Sequence, residues 1–386
     1  MDLETIKLYY DDPYVKDFEA VVMNCIPEGR NYLIKLNRTA FYPEGGGQPC
    51  DLGRLGSEPV LDVQERDGII YHTVAHSLTV GAPVEGHIDW ERRFDHMQQH
   101  SGEHIISGLL CRTYGCDNVG FHMGADTVTI DYNINIPWEG ALEVERQANR
   151  YIMENHAVEI RWPSMDDLPF MVYRSKKDLT GQPVRIVEFP GADRCACCGT
   201  HVSASAEVGL VKLIGMQHLR GGVRLELLCG RRALAYLSMN WQQNSAIGRE
   251  LSVKADGTHA AVLRLKEEAA ALKLRCDTLE TESFAAQAAQ YADAGDVLLI
   301  RPAMEPDAVR RLCDTVAQQC GGRCALFAGE AGAYKYAVIH PGTDIRPLIK
   351  DMNAALNGRG GGRDGFAQGS AACREEAIRT FFGGLS

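Results

Sequence analysis

The chain has 386 residues, room for two or three domains with separate cores. Its 45% hydrophobic and 24% charged content is that of a soluble globular protein; no apolar run approaches the ~20 residues of a membrane span, and the acidic start MDLETIKLYYDD lacks the apolar core of a secretory signal, so a cytoplasmic, membrane-free protein is expected. The net charge of −11 excludes a uniformly basic coat, but it is uneven: residues 1–90 carry −8 and residues 210–236 carry +4, which makes the second segment a candidate phosphate-facing surface.

Residues 1–90 read as β-rich. Alternating runs at 19–26, 31–36 and 69–74 are separated by Gly, Pro, Asn and Asp, the pattern of a small β-barrel. Between two of these runs lies Phe41-Tyr-Pro-Glu-Gly-Gly-Gly-Gln-Pro49. Its glycines, Gly45, Gly46 and Gly47, allow a tight turn or a close backbone approach to a ligand, and Gln48 adds a donor and an acceptor that a plain turn does not need.

From Asp95 the period changes to helical. Apolar residues at Ile105, Ile106, Leu109 and Leu110 precede Gly115, a stop signal. A strand over 128–134, a helix over about 139–155, and strands at 183–189 and 207–214 follow. Helices with an antiparallel sheet predict an α+β domain over 91–235. Residues 236–292 form a helical connector: Val262, Leu265, Ala269, Leu272, Cys276 and Leu279 step by three and four, a short heptad seam suited to a helical hairpin or a dimer coil. Residues 293–386 alternate strands and helices, a C-terminal α/β domain, interrupted by the loop Asn357-Gly-Arg-Gly-Gly-Gly-Arg-Asp-Gly365. The fold class is α+β multidomain: β-barrel, α+β domain, helical connector, α/β domain.

Two short motifs carry the chemistry. In His100-Ser-Gly-Glu-His104 the histidines lie four apart, on one helix face. In Cys197-Cys-Gly-Thr-His201 a thiolate and an imidazole are brought together by a Gly-Thr turn. Three imidazoles and one thiolate make a tetrahedral set that suits Zn2+. Thirteen cysteines are many, but only Cys195, Cys197 and Cys198 cluster; Cys25, Cys111, Cys229, Cys276, Cys313 and Cys320 read as small core residues. Taken alone, H-x-x-E-H also matches the inverted zincin peptidases, with Glu103 as base and a third ligand from Glu139, Glu143, Glu145 or Glu154. A zinc that only staples two segments of an RNA-binding protein is a further reading.

FYPEGGGQP, RRFDHMQQHSGEHIIS and CCGTHV in this order, with the terminal RGGGR, resemble the long-form free-standing alanyl-tRNA editing proteins, which are similar to the editing and C-terminal regions of alanyl-tRNA synthetase. The resemblance spans nearly the whole chain, and the synthetase's aminoacylation core is not seen. It implies a zinc-dependent ester hydrolase, cytoplasmic, that removes serine or glycine from mischarged tRNA(Ala). His100, His104, Cys197 and His201 would hold the metal. Gly45, Gly46, Gly47, Gln48 and Phe121 would face the substrate, with Glu103 and His122 as candidate catalytic groups. Arg359, Gly360, Gly361, Gly362 and Arg363 would grip tRNA phosphate through a nest of backbone N–H groups. The C-terminal region points to a homodimer. The same loop type occurs in DHH phosphoesterases, but Asp95-His96 is followed by Met97, which breaks their metal motif. A Cys197/His201 pair on the same metal as His100/His104 would exclude the peptidase; a glutamate from 139–154 would exclude the deacylase.

Overall fold

The computed structural model describes residues 4–175 and 183–383 of a mixed α/β chain. It forms two compact units, Met1–Ala246 and Ile247–Ser386.

In the first unit, six strands (Asp17–Glu28, Asn31–Leu36, Gly53–Leu55, Glu58–Arg66, Ile69–Val74 and Pro83–Ile88) pair so that the last returns to the first. Their inward residues, among them Ile34, Leu36, Leu55, Val63, Ile70 and Val74, close a core around Phe41. His72 is completely buried within it. One ring nitrogen contacts the carbonyl of Ile34 at 3.0 Å and the other contacts Thr39 Oγ1 at 2.8 Å, so both are satisfied by the neutral ring. Burial holds its pKa down at about 4. The unfolded ring takes its proton near 6.5, so this contribution is complete above that pH and is lost as pH falls through about 4, some ~3 kcal/mol in all. Urea unfolding at pH 7 and pH 4 should show that His72→Gln removes a loss of about that size; an unchanged pH slope would count against it.

A 25-residue helix, Trp90–Tyr114, follows. Asp89 caps its start by accepting from Arg92 N at 3.2 Å, and Gly115 ends it with a left-handed φ of 65°. Its central residues are buried all round, between the glycine loop, the helix Trp138–Glu154 and the four-stranded sheet built from Asn118–Met123, Val128–Tyr132, Val211–Leu219 and Gly222–Cys229. A three-stranded sheet, Glu159–Arg161, Ile186–Phe189 and Asp193–Ala196, leads into the Cys/His motif. The helix Gly230–Glu250 starts from the end of the four-stranded sheet. Lys212, Arg224 and Arg232 of the basic segment are ion-paired with Glu145, Asp131 and Asp95, so much of its charge is spent internally.

In the second unit, five strands (Gly295–Arg301, Gly321–Glu330, Ala333–Ile339, Phe366–Ala371 and Gly358–Arg363, in that order) form one sheet. Helix Pro306–Ala317 packs on one face, and helices Arg346–Ala355 and Glu375–Phe381 pack on the other. The glycine-rich stretch is therefore not a loop. Gly358–Arg363 is an edge strand paired with Phe366–Ala371, and Asp364-Gly365 supplies the hairpin turn, with φ 73° at Gly365. Successive N–H groups of a strand point opposite ways, so the expected nest does not form. A cavity of about 360 Å³ lies between this strand and the helix Arg346–Ala355, lined by Arg346, Lys350, Asn353 and Arg363. The heptad residues sit on the helix Thr258–Ala289, where Val262, Leu265, Leu272, Cys276 and Leu279 are exposed. Cys276 is thus not a core residue, whereas Cys229, Cys313 and Cys320 are buried.

Candidate metal centre

His100 and His104 project from one face of the buried helix, and Cys197 and His201 reach them from the turn after Asp193–Ala196. One donor atom from each lies within 4.8 Å of the others. Cys197 Sγ is 3.5 Å from His100 Nε2 and 3.3 Å from His201 Nε2. Gly199 makes the turn possible: a Cβ there would sit 2.2 Å from the His100 ring.

The other nitrogen of each ring is held from behind. His100 Nδ1 meets Gln48 Oε1 at 2.8 Å, His104 Nδ1 meets Asp193 Oδ2 at 2.9 Å, and His201 Nδ1 meets Ser101 Oγ at 3.1 Å. These partners are themselves tied down. Arg174 donates twice to Asp193, and the Gln48 side chain also donates to Thr200 Oγ1 and accepts from Thr200 N. All three Nε2 atoms are thereby left for a common point, the arrangement of a metal site with its outer shell in place.

The electrostatics agree with a cation-binding cluster. Burial opposes the Cys197 thiolate, but His100, His201 and His104 beside it hold the thiol well below its ordinary range. Burial would also discharge His104, yet Cys197 and Asp193 raise it to about 10. Burial pushes His201 down to about 3. Asp193 is held at about 2 against its burial by Arg174 and His104. A divalent cation at the common point would replace the proton on His104.

The cluster opens on a cavity of about 350 Å³, walled by Gly46, Phe121, Trp162, Val184 and Arg185 and floored by His100, Glu103, His104 and Cys197. Phe121 stacks on the His100 ring, with centroids 5.1 Å apart. Gly47 has φ 85°, and a Cβ on it would lie 2.6 Å from Phe121, so the glycine loop can close on this strand only without a side chain. Gln48 is completely buried, and its contacts go to His100 and Thr200 rather than to the cavity. Gly45 closes the turn by pairing with Gln48. His122 is exposed and is not a wall of the cavity. Its neighbour Phe121 points inward, so strand alternation turns His122 out, which removes it from the catalytic candidates.

Glu103 is nearer the chemistry than H-x-x-E-H spacing alone suggests. Its Oε1 accepts from Ser107 Oγ and Asn118 Nδ2, both at 2.6 Å, and its Oε2 lies 3.9 Å from His104 Nε2. Asn118 escapes a reading of the sequence. A bulge in Asn118–Met123, where Asp131 pairs with Gly120 but Tyr132 pairs with Asn118, returns Asn118 to the face of Phe121. Counting by twos from Phe121 places it on the wrong side. None of Glu139, Glu143, Glu145 and Glu154 belongs to the metal-binding group; Glu145 pairs with Lys212, Glu143 with Arg146 and Glu154 with His156. That arrangement excludes the peptidase ligand set.

Three family models match the chain: "tRNA synthetases class II (A)" over residues 12–92, the "Threonyl and Alanyl tRNA synthetase second additional domain" over 184–226, and the "DHHA1 domain" over 291–382. They fall on the ring of strands, on the segment carrying Cys197 and His201, and on the five-stranded sheet. The alanyl-tRNA editing protein Aarsd1 of Danio rerio is 29% identical, over 93% of this chain and 92% of its own. The alanyl-tRNA editing protein AlaX-L of Pyrococcus horikoshii is 28% identical over 96% of each. Alanine–tRNA ligase of Pyrococcus abyssi is 31% identical over 95% of this chain, which spans 42% of that ligase. From its first strands to its last helix, the chain is similar to the alanyl-tRNA editing proteins.

Proposed function

We propose that this protein is an aminoacyl-tRNA deacylase that acts in trans on tRNA(Ala) mischarged with serine or glycine, with Zn2+ held by His100, His104, Cys197 and His201. The observation that carries this is the convergence of three imidazoles and a thiolate, each imidazole fixed from behind, at the floor of a cavity. The separations of 3.3 and 3.5 Å between sulfur and nitrogen fit a tetrahedral zinc, for which an S···N edge of about 3.5 Å follows from ordinary Zn–S and Zn–N lengths. When bound, zinc would supply Lewis acidity or a fixed anchor for the aminoacyl group.

The chain's own groups then do the following. Glu103, braced by Ser107 and Asn118, takes the proton of a water that attacks the ester carbonyl. The bond between that carbonyl carbon and the ribose oxygen breaks, and the ribose oxygen is protonated. Phe121, Trp162 and Val184 shield the ester from bulk water. Serine differs from alanine by a hydroxyl, and a site that hydrogen-bonds it discriminates strongly. Arg359 and Arg363 on the glycine edge strand meet tRNA phosphate, and the exposed heptad seam pairs two copies.

The test is release of serine from mischarged tRNA(Ala). The wild type should release it, and His104→Ala should be slower by at least about 10³-fold, the scale of losing a fixed electrostatic stabiliser. A chelator should abolish release, and added zinc should restore it. No release by the zinc-loaded wild type would overturn the proposal.

A further inference from the structure

A second cavity, of about 450 Å³, lies on the other side of the glycine loop and is lined by Pro49, Arg92, His96, Arg231, Arg232 and their acidic neighbours Glu91 and Asp95. None of its residues takes part in the metal cluster. Two long helices begin at its rim: Arg92 is in the first turn of Trp90–Tyr114, and Arg231 and Arg232 are in the first turn of Gly230–Glu250. Both positive helix ends act on the same space. Arg232 is spent as a brace, donating to Asp95 and to the carbonyl of Gly124. The Arg231 side chain is more than half exposed, and its one hydrogen bond among the described residues goes to Glu91 at 3.0 Å. Arg92 uses Nε on the Cys50 carbonyl, and its terminal nitrogens have no partner among the described residues. His96 is 98% buried, yet its Nδ1 finds no hydrogen-bond partner among the described residues. Three guanidiniums against two carboxylates, two helix starts and an unpartnered buried imidazole describe a receptor for an anion, and planar forks favour phosphate.

We infer that this cavity holds a backbone phosphate of the tRNA, upstream of the ester, through Arg92, Arg231 and His96. The inference rests on the deacylase reading for the identity of the ligand. Position supports it. His96 precedes His100 by one turn of the same helix, and Arg92 precedes it by two, about 12 Å along the axis. Pro49 of the cavity follows Gln48, which holds His100. A strand whose end lies at the metal cluster thus has its preceding phosphates within reach of the second cavity. The low pKa of His96, about 3, is caused first by burial and then by Arg92, Arg232 and Arg93, and so reports the same positive potential.

The test compares two substrates: seryl-tRNA(Ala), and the serine ester of adenosine, which has no upstream phosphate. Arg92→Gln and Arg231→Ala should each raise KM for the tRNA about five- to tenfold with kcat within twofold, and each should flatten the salt dependence by about one ion. Cleavage of the adenosine ester should not change. Pyrophosphate should compete with tRNA on the wild type and not on Arg92→Gln. Arg231→Ala, at an exposed helix start, keeps the test open if Arg92→Gln disturbs the fold. An unchanged KM for tRNA in Arg231→Ala and in a folded Arg92→Gln, or an equal loss on both substrates, would overturn the site. If the wild type cleaves neither substrate, the deacylase reading fails by itself, and filter binding of uncharged tRNA decides the phosphate site: weaker binding by the two variants supports it, and equal binding overturns it.

Discussion

Glu103→Gln should lower kcat for deacylation by about 10²–10³-fold and leave KM within about threefold, the range expected when a positioned base is lost and binding is kept. Glutamine is close to isosteric here. Its carbonyl can still accept from Ser107 and Asn118, which bind Oε1 of the glutamate at 2.6 Å, so the packing around Tyr132 and Ser107 is preserved. What changes is the atom 3.9 Å from His104 Nε2, which becomes an amide and can no longer take a proton. Zinc content should stay at one per chain, because His100, His104, Cys197 and His201 keep their partners. Asn118→Ala is the companion measurement. It frees one side of the carboxylate without removing its charge, so a smaller loss in kcat is expected. A Glu103→Gln protein with wild-type kcat would show that the carboxylate only supports the fold, and the base would have to be sought elsewhere on the cavity wall.

The gathering of His100, His104, Cys197 and His201 was legible because the spacing within each motif is local. His100 and His104 share a face through helical periodicity, and Cys197 and His201 are joined by a four-residue turn that glycine permits. The strands at Asn31–Leu36 and Ile69–Val74 and the end of the histidine helix at Gly115 follow from equally short-range signals. What sequence could not convey depends on strand registry and on long-range partners. His122 was a candidate through the resemblance, but alternation turns it outward. Asn118 was not singled out in the sequence; a bulge turns it inward. Gln48 was expected to face the substrate from the resemblance; its contact with His100 appears only when the loop is seen folded against a helix 52 residues away. The terminal glycines read as a loop by composition, yet each lacks only a side chain, and their backbone pairs with Phe366–Ala371.

Arg93→Met should destabilise the first unit by about 3–5 kcal/mol in urea unfolding, the cost of leaving a buried carboxylate without its cation. Arg93 and Asp51 are both fully buried and joined through Nε and Nη2 of the guanidinium. The remaining donors go to carbonyls, Nη1 to Pro13 at 2.8 Å and Nη2 to Ala40 at 2.5 Å. Asp51 accepts in addition from Tyr42 N at 2.6 Å. These contacts clamp both ends of the glycine loop, at Ala40 and Asp51, to the histidine helix. Arg93 lies seven residues before His100, two turns along the same side, so the clamp also sets where the loop delivers Gln48 to His100. The expected consequence is coupled: lower stability together with weaker zinc retention against a chelator. Gln48→Ala should weaken zinc retention, by roughly tenfold for an outer-shell partner, without the large loss of stability. Arg93→Met with Asp51→Leu should recover part of the folding energy, because no charge is then left buried, but not the zinc retention, because the loop is no longer tied by Tyr42 N and Ala40. If Arg93→Met unfolds with a loss below about 1 kcal/mol, the buried pair is not what joins the ring of strands to the histidine helix, and the register of the loop must come from Gly47 against Phe121 and Gln48 against His100 and Thr200.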